Sequence, residues 1–162
     1  TEYTNETRKS GHEKPDDYNG KSLEIDEKPK EIIEINSADS GSLLKINGIG
    51  PYYAHKIIEY RKQLGGYKKA IQLMEIWNFD SIRFGQINPQ INVDTVLIKK
   101  LDINSASIEE LKKHPYIRWY LANAIVKYRQ QHGAYSGVIE VKKVALMTDS
   151  IYIKLSPYLI AE

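Results

Sequence analysis

The chain has no cysteine in its 162 residues, which excludes disulfides, a thiolate nucleophile and any cysteine-based zinc finger, and leaves the redox compartment open. The four histidines, His12, His55, His114 and His132, are spaced unlike a metal-ligand set. No apolar run reaches the ~18 residues of a membrane-spanning helix. No stretch reads as a signal peptide, although the chain starts at Thr1 rather than Met, so a trimmed terminus could have carried one. The paired acids Asp16-Asp17 and Glu109-Glu110 fall in a polar tail and at a helix start, and neither His55 nor His132 stands between a nucleophile and a carboxylate as a catalytic base would. No catalytic constellation emerges, and the expectation is a protein that is not an enzyme.

Charge divides the chain. The formal net charge of +2 conceals a leader, residues 1–34, with six Lys/Arg against ten Asp/Glu, and a remainder, residues 35–162, with 17 against 11. Up to about residue 30 there is almost no aliphatic side chain, too little apolar surface to offset the entropy of ordering. The expectation for 1–33 is a disordered linker, in which Asn5-Glu6-Thr7 matches a glycosylation sequon by coincidence. The basic remainder suits a partner rich in phosphate.

What the chain does contain is a duplication. At an offset of 68 residues, Ile35-Asn36-Ser37-Ala38 recurs as Ile103-Asn104-Ser105-Ala106, Leu43 as Leu111, Ile49 as Ile117, Ala54 as Ala122, Tyr60-Arg61 as Tyr128-Arg129, Gly65 as Gly133 and Tyr67 as Tyr135. A gapless repeat fixes the architecture as one unit used twice. The expected boundaries are 34–92 for the first unit, 93–100 for a connector and 101–162 for a second, divergent unit. Each unit is small enough that packing of one on the other is expected.

Within a unit the pattern is helical. Asp39 and Ser107 stand at N-cap positions, and Ser107-Ile108-Glu109-Glu110 is a capping box. A first helix of about two turns (Leu43, Leu44, Ile46) ends at Asn47-Gly48, and Pro51 opens a second helix over about 51–64, stopped by Gly65-Gly66. Tyr67 is expected to fold back into the core. A third helix covers about 69–76, and Asp80 caps a fourth that ends near Ile87. In the second unit Ser136 leads the third helix and Asp149 caps the fourth. Ile91 to Ile98 reads as a short strand or extended connector. The fold class is therefore all-α, with four short helices in each unit.

The chemistry sits at Asn47-Gly48-Ile49-Gly50-Pro51. Glycines on either side of Ile49 let the backbone approach a ligand without a Cβ in the way, and the helix start beyond them offers unpaired amides and a positive dipole end. Ile49 points inward as the anchor of the loop. Lys45 and Lys56 flank the site. Such a site holds phosphate and cannot read a base. Tyr52 and Tyr120, just after the hairpins, are the tyrosines placed to touch nucleic acid; Arg61 and Arg129 read as structural, near helix ends.

Leu44-Lys45-Ile46-Asn47-Gly48-Ile49-Gly50-Pro51-Tyr52-Tyr53-Ala54-His55-Lys56-Ile57 resembles the helix-hairpin-helix motif. With the Ile35-Asn36-Ser37-Ala38 opening and the Gly65-Gly66-Tyr67 close, residues 35 to about 160 resemble the ComEA-like competence family of DNA-uptake receptors. The resemblance implies SAM-like paired modules that bind double-stranded DNA through hairpin amides, with Lys45, Asn47, Gly48, Ile49, Gly50, Tyr52, Lys56 and Arg118 as the contact set. It also implies room for a monovalent cation at the first hairpin, uptake or repair proteins as further partners, and an extracytoplasmic or periplasmic position on an N-terminal membrane anchor.

The second unit departs from the pattern. Its hairpin reads His114-Pro115-Tyr116-Ile117-Arg118-Trp119, with side chains where Gly48 and Gly50 stand, so it is expected to keep the fold and to offer Arg118, Lys112 and Lys113 as side-chain contacts at most. The sequences Trp77-Asn78-Phe79-Asp80 and Leu146-Met147-Thr148-Asp149 lack glycine, and their carboxylates read as helix caps. Two rival expectations stand beside DNA binding: an assembly module that kept the scaffold, with an apolar patch at Tyr116 and Trp119, and an accessory domain of a nuclease or repair enzyme.

Overall fold

The computed structural model describes residues 31–162; most of the leader and the Asn5 sequon lie outside the described residues. The first unit runs β1 (Ile33–Glu34), α1 (Ser40–Leu44), α2 (Pro51–Leu64), a 3-10 helix (Ala70–Glu75), α3 (Ser81–Ile87), a 3-10 turn (Asn88–Gln90) and β2 (Ile91–Asn92). After a further 3-10 turn (Thr95–Leu97), the second unit repeats the order. It runs β3 (Leu101–Asp102), α4 (Ile108–Leu111), α5 (Trp119–His132), a 3-10 helix (Val138–Lys143), α6 (Asp149–Leu155), a 3-10 turn (Ser156–Tyr158) and β4 (Leu159–Ile160).

The chain is mostly helical, with one addition. The two ends of each unit meet as a two-residue parallel ladder, Ile33 opposite Ile91 and Leu101 opposite Leu159. The extended segment expected from Ile91 to Ile98 is thus strand only at Ile91–Asn92, because the following residues turn under Asp94, whose side chain accepts from the Val96 amide. α1 is a single turn and a half, shorter than its apolar spacing suggests: Leu43 reaches the core and Leu44 is exposed, while Ile46 is buried just beyond the helix end. The third helix of each unit is 3-10 rather than α. In the first unit Gln72 folds back to accept from the Lys68 and Lys69 amides, and Ile71 and Met74 stay exposed. The fourth helix of the second unit is capped by Thr148, which accepts from Ile151, while Asp149 is its first residue and pairs with Lys142 at 2.6 Å.

The duplicated polar residues are fold residues. Asn36 clamps Tyr67 through its amide group, accepting from the Tyr67 N–H at 2.6 Å and donating to its carbonyl at 2.9 Å, and Asn104 does the same to Tyr135. The tyrosine hydroxyls then donate to the carbonyls of Ile57 and Ile125 in the middle of the long helices. Arg61 donates to the Ile35 and Ala38 carbonyls, and Arg129 to that of Ile103. These arginines hold the entry loop of each unit rather than a helix end, because their stems lie along the helix and their heads reach across to a loop that has no ladder partner.

Each unit has its own apolar core: Ile35, Leu43, Ile57, Leu64 and Leu73 in the first, Ile103, Leu111, Ile125, Val141 and Leu155 in the second, all fully buried. The units join through aromatic and polar groups. Tyr158 belongs to the first core by packing, Gln72 donates to the hydroxyls of Tyr116 and Tyr158 at 2.8 Å each, and the Tyr116 hydroxyl donates to Glu75 at 2.7 Å.

Candidate nucleic-acid interface

The first hairpin connects α1 to α2 by a turn in which the Ile49 amide donates to the Ile46 carbonyl at 3.0 Å. Gly48 makes that turn with φ +101°, a conformation that side chains rarely adopt. Ile49 is buried and holds the loop down, while Asn47 and Gly48 are exposed. Gly50 is the N-cap of α2, with φ −97° and ψ 178°, and its side chain position faces open space, with nothing within 4 Å. Any residue could adopt that backbone. The absence of a side chain at Gly50 is therefore not demanded by the fold, and it leaves the start of α2 bare.

The amides divide into occupied and available groups. Asn47 N–H donates to the Gln90 side chain at 2.9 Å, Ile49 N–H to Ile46, and Ala54 N–H to Gly50. Gly48, Gly50, Tyr52 and Tyr53 N–H have no acceptor among the described residues, and the last two lie in the first turn of α2, where amides have no intrahelical partner. Asn47, expected among the contacts, is thus withdrawn as a main-chain donor because Gln90 brackets its peptide, also donating to its carbonyl at 3.2 Å. Ile49 contributes as an anchor only. Tyr52 is half exposed beside the free amides and stacks edge-on against Tyr53 at 5.1 Å.

The flanking lysines do not stand free. Lys45 pairs with Glu31 at 3.4 Å, and Lys56 with Glu59 at 2.9 Å, whose hydrogen bond raises the Lys56 pKa and lowers that of Glu59. The first pair is exposed and the second half-exposed, so both are solvent-screened and a phosphate can exchange with the carboxylate at little cost. A monovalent cation at this hairpin would be held by main-chain carbonyls: those of Ile46, Asn47 and Gly50 each accept a single hydrogen bond, from Ile49, Gln90 and Ala54, and keep a second lone pair. Among the described residues no group of three or more His, Asp or Glu side chains could hold a metal.

A second hairpin of the same build lies beside the first. Phe79 N–H donates to the Ile76 carbonyl at 3.0 Å, and Asn78 has φ 61°, the sole positive value at a non-glycine among the described residues. Asn78 does what Gly48 does, since asparagine tolerates the left-handed region better than other side chains. The Tyr53 hydroxyl donates to the Asn78 carbonyl at 2.9 Å, and Arg83 lies over the Tyr53 ring at 4.0 Å while donating to its hydroxyl. Tyr53, Asn78 and Arg83, which tie the two hairpins together, were not legible as site residues. The offset of 30 that pairs Ile46-Asn47-Gly48-Ile49 with Ile76-Trp77-Asn78-Phe79 was the available signal.

In the second unit the same turn is kept, Ile117 N–H to His114 O at 2.9 Å and Met147 N–H to Val144 O at 2.9 Å, but neither Tyr116 nor Leu146 has positive φ. Tyr116 turns into the junction between units, and its own amide donates to the His114 ring at 3.2 Å. Arg118 is exposed at the N-cap of α5, occupying the space that Gly50 leaves bare. Trp119 and Tyr120 remain exposed and stack edge-on at 5.0 Å. The apolar patch expected at Tyr116 and Trp119 therefore lacks its first member.

The profile described as Helix-hairpin-helix motif matches residues 28–92 and again 96–160. The chain belongs to the helix-hairpin-helix family. Curated relatives include the endonuclease/exonuclease/phosphatase family domain-containing protein 1 of Xenopus laevis, 23% identical over 78% of this chain and 26% of that protein. The protein of the same name from Danio rerio is 26% identical over 75% of the chain and 26% of its own length, and that of Homo sapiens 22% over 71% and 25%. The chain spans about a quarter of the length of these relatives. Helix-hairpin-helix motifs point to nucleic acid as the partner, and the two family matches coincide with the two halves of the duplication.

Proposed function

We propose that this chain binds double-stranded DNA without sequence preference, through the free amides of Gly48, Gly50, Tyr52 and Tyr53 at the start of α2, with Tyr52, Lys45 and Lys56 beside them. The observation that carries the reading is the bare, unoccupied main chain at Gly50, a glycine that the fold itself does not need. Convergent amides at a helix N-terminus, with a dipole of about half a charge, favour a phosphate and ignore the base attached to it. The counterpart hairpin of the second unit contributes Arg118 as a side-chain contact. The module acts by binding, and catalysis has no part in this reading.

The cleanest test is Gly50→Arg, which installs the residue that the second unit carries. Gel shifts on several unrelated duplexes over a salt series should lose affinity by about tenfold on all of them alike, with an unchanged melting curve. Loss confined to one duplex, or no loss, overturns the reading. The wild-type log affinity should fall with log salt at about −0.9 per phosphate neutralised.

Two settings follow from different observations. The likeness to the ComEA-like family extends the reading to DNA uptake by an anchored protein outside the cytoplasmic membrane, which locating the full-length protein would test. The name these relatives carry, and the quarter of their length that matches, favours a DNA-positioning module attached to an endonuclease/exonuclease/phosphatase domain. The flanking gene sequence decides between them.

A further inference from the structure

A cleft of about 580 Å³ opens between the two units, at the end of α2 remote from the first hairpin. Four lysines line it: Lys62 from the last turn of α2, Lys99 and Lys100 from the connector, and Lys113 just before the second hairpin. All four are exposed, and like Lys68, Lys69 and Lys127 none has a salt-bridge partner among the described residues, whereas Lys45, Lys56, Lys112, Lys142, Lys143 and Lys154 each have one. Two acids, Asp102 and Glu110, also line the cleft, and both are turned to local duty. Asp102 accepts from the Ser105 hydroxyl at 2.6 Å and the Asn104 and Glu162 amides; Glu110 accepts from the Ser107 amide and hydroxyl at 2.8 Å each. The cleft keeps an excess of two positive charges that the protein leaves unpaired.

Its rim is built rather than incidental. Lys99 N–H donates to the Gly65 carbonyl at 2.8 Å, and a Cβ on Gly65 would stand 2.5 Å from the Lys99 carbonyl oxygen. Glycine at 65 thus lets the connector press against the end of α2 and fixes Lys99 and Lys100 at the mouth. A Cβ on the counterpart Gly133 would meet nothing within 4 Å.

We infer that this junction cleft is a second phosphate-contact site, which grips the backbone of the same nucleic acid at a point removed from the first hairpin. The inference rests on the DNA-binding reading above. Lysines arriving from three separate segments are point charges without the bidentate geometry that a single small anion rewards, so the ligand they fit is an extended run of phosphates. The 14 residues of α2 set the two sites about 21 Å apart, the axial length of about six base pairs. The second unit thereby shares in binding although its own hairpin has lost the glycines.

The test compares full chains on a 20-base-pair duplex across a salt series. Lys99→Ala/Lys100→Ala should reduce affinity by tenfold or more at low salt and make the salt slope shallower by about 1.8, the value for two lost phosphate contacts. Lys99→Arg/Lys100→Arg should bind like wild type. Lys142→Ala/Lys143→Ala, which removes the same formal charge elsewhere, should leave the slope unchanged. If the cleft variant keeps the wild-type slope, or the distant pair matters equally, the cleft is not a contact site even though the Gly50 result stands. Absence of wild-type binding to the duplex would overturn both the cleft and the reading beneath it.

Discussion

The hairpin at Gly48 and its counterpart at Tyr116 in the second unit descend from one pattern and have been put to different uses. At the first, Gly48 takes φ +101° and Gly50 leaves the helix start bare, and four amides have no acceptor among the described residues. At the second, Tyr116 replaces the first glycine, abandons the positive φ, and sends its ring and hydroxyl into the junction with Gln72 and Glu75, while Arg118 covers the helix start. The turn hydrogen bond survives in both because it depends on the main chain and on a buried Ile49 or Ile117. What differs is whether the tip serves a ligand or the neighbouring unit. The inner position shows the same division: Ile46 in the first unit is replaced by His114, buried between Tyr116 and Tyr158.

The strongest way to sharpen this contrast is at the paired helix stops. Gly65→Ala places a Cβ against the Lys99 carbonyl at φ +83°, and should cost roughly 3–4 kcal/mol from steric overlap and left-handed strain together. Gly133→Ala, at φ +88° and ψ 178° with no neighbour to clash, should cost about 1–3 kcal/mol from backbone strain alone. Urea denaturation of both variants measures the difference, and equal losses would remove the distinction.

Next comes His114. Burial holds its pKa down to about 4 from 6.5, and Nε2 has no hydrogen bond of good geometry although the nearby Leu64 carbonyl offsets a little of the effect. The unfolded chain therefore binds the extra proton first. Stability is full above about pH 6.5 and declines as pH falls toward 4, by about 3 kcal/mol at the limit. His114→Ile, which copies the first unit, should flatten that part of the profile; a persistent decline of the same size would assign it elsewhere.

Smaller again is the exchange at the binding tips. Gly50→Arg should lower duplex affinity by about tenfold, or 1.4 kcal/mol, while Arg118→Gly should leave folding intact and change binding by less than that. Anisotropy titrations on one labelled duplex rank the two. The smallest effect belongs to Tyr116→Phe, which removes one hydrogen bond each from Gln72 and Glu75 while Gln72 keeps Tyr158 and Glu75 keeps Tyr60, and should cost about 1 kcal/mol of stability. No change in thermal unfolding would mean that those bonds are replaced by water.

The legible features were those in which one residue's chemistry acts within a few positions. Asp39, Asp80 and Ser107 cap the helices expected of them, because a cap bonds an amide two or three residues on. Tyr67 was readable as a core aromatic from the turn before it. Less readable were the 3-10 helices, where Gln72 folding back outweighs an apolar spacing that suits an α-helix, and the cap at Thr148, one residue ahead of a more conspicuous acid. Within the candidate site, the freedom of Gly50 and the anchoring of Ile49 followed from the motif. The withdrawal of the Asn47 amide depends on Gln90, 43 positions away, and no local pattern reveals it.

By itself the sequence determined a duplicated, mostly helical scaffold and the position of one glycine-built tip, since repeats, caps and glycines act through short-range sterics and adjacent hydrogen bonds. Tertiary structure alone decided which amides stay vacant, which carboxylates meet Lys45 and Lys56, and how Lys62, Lys99, Lys100 and Lys113 come to share a cleft. Those outcomes turn on groups tens of residues apart, and electrostatics and hydrogen bonding depend on distance in space, to which separation along the chain is a poor guide.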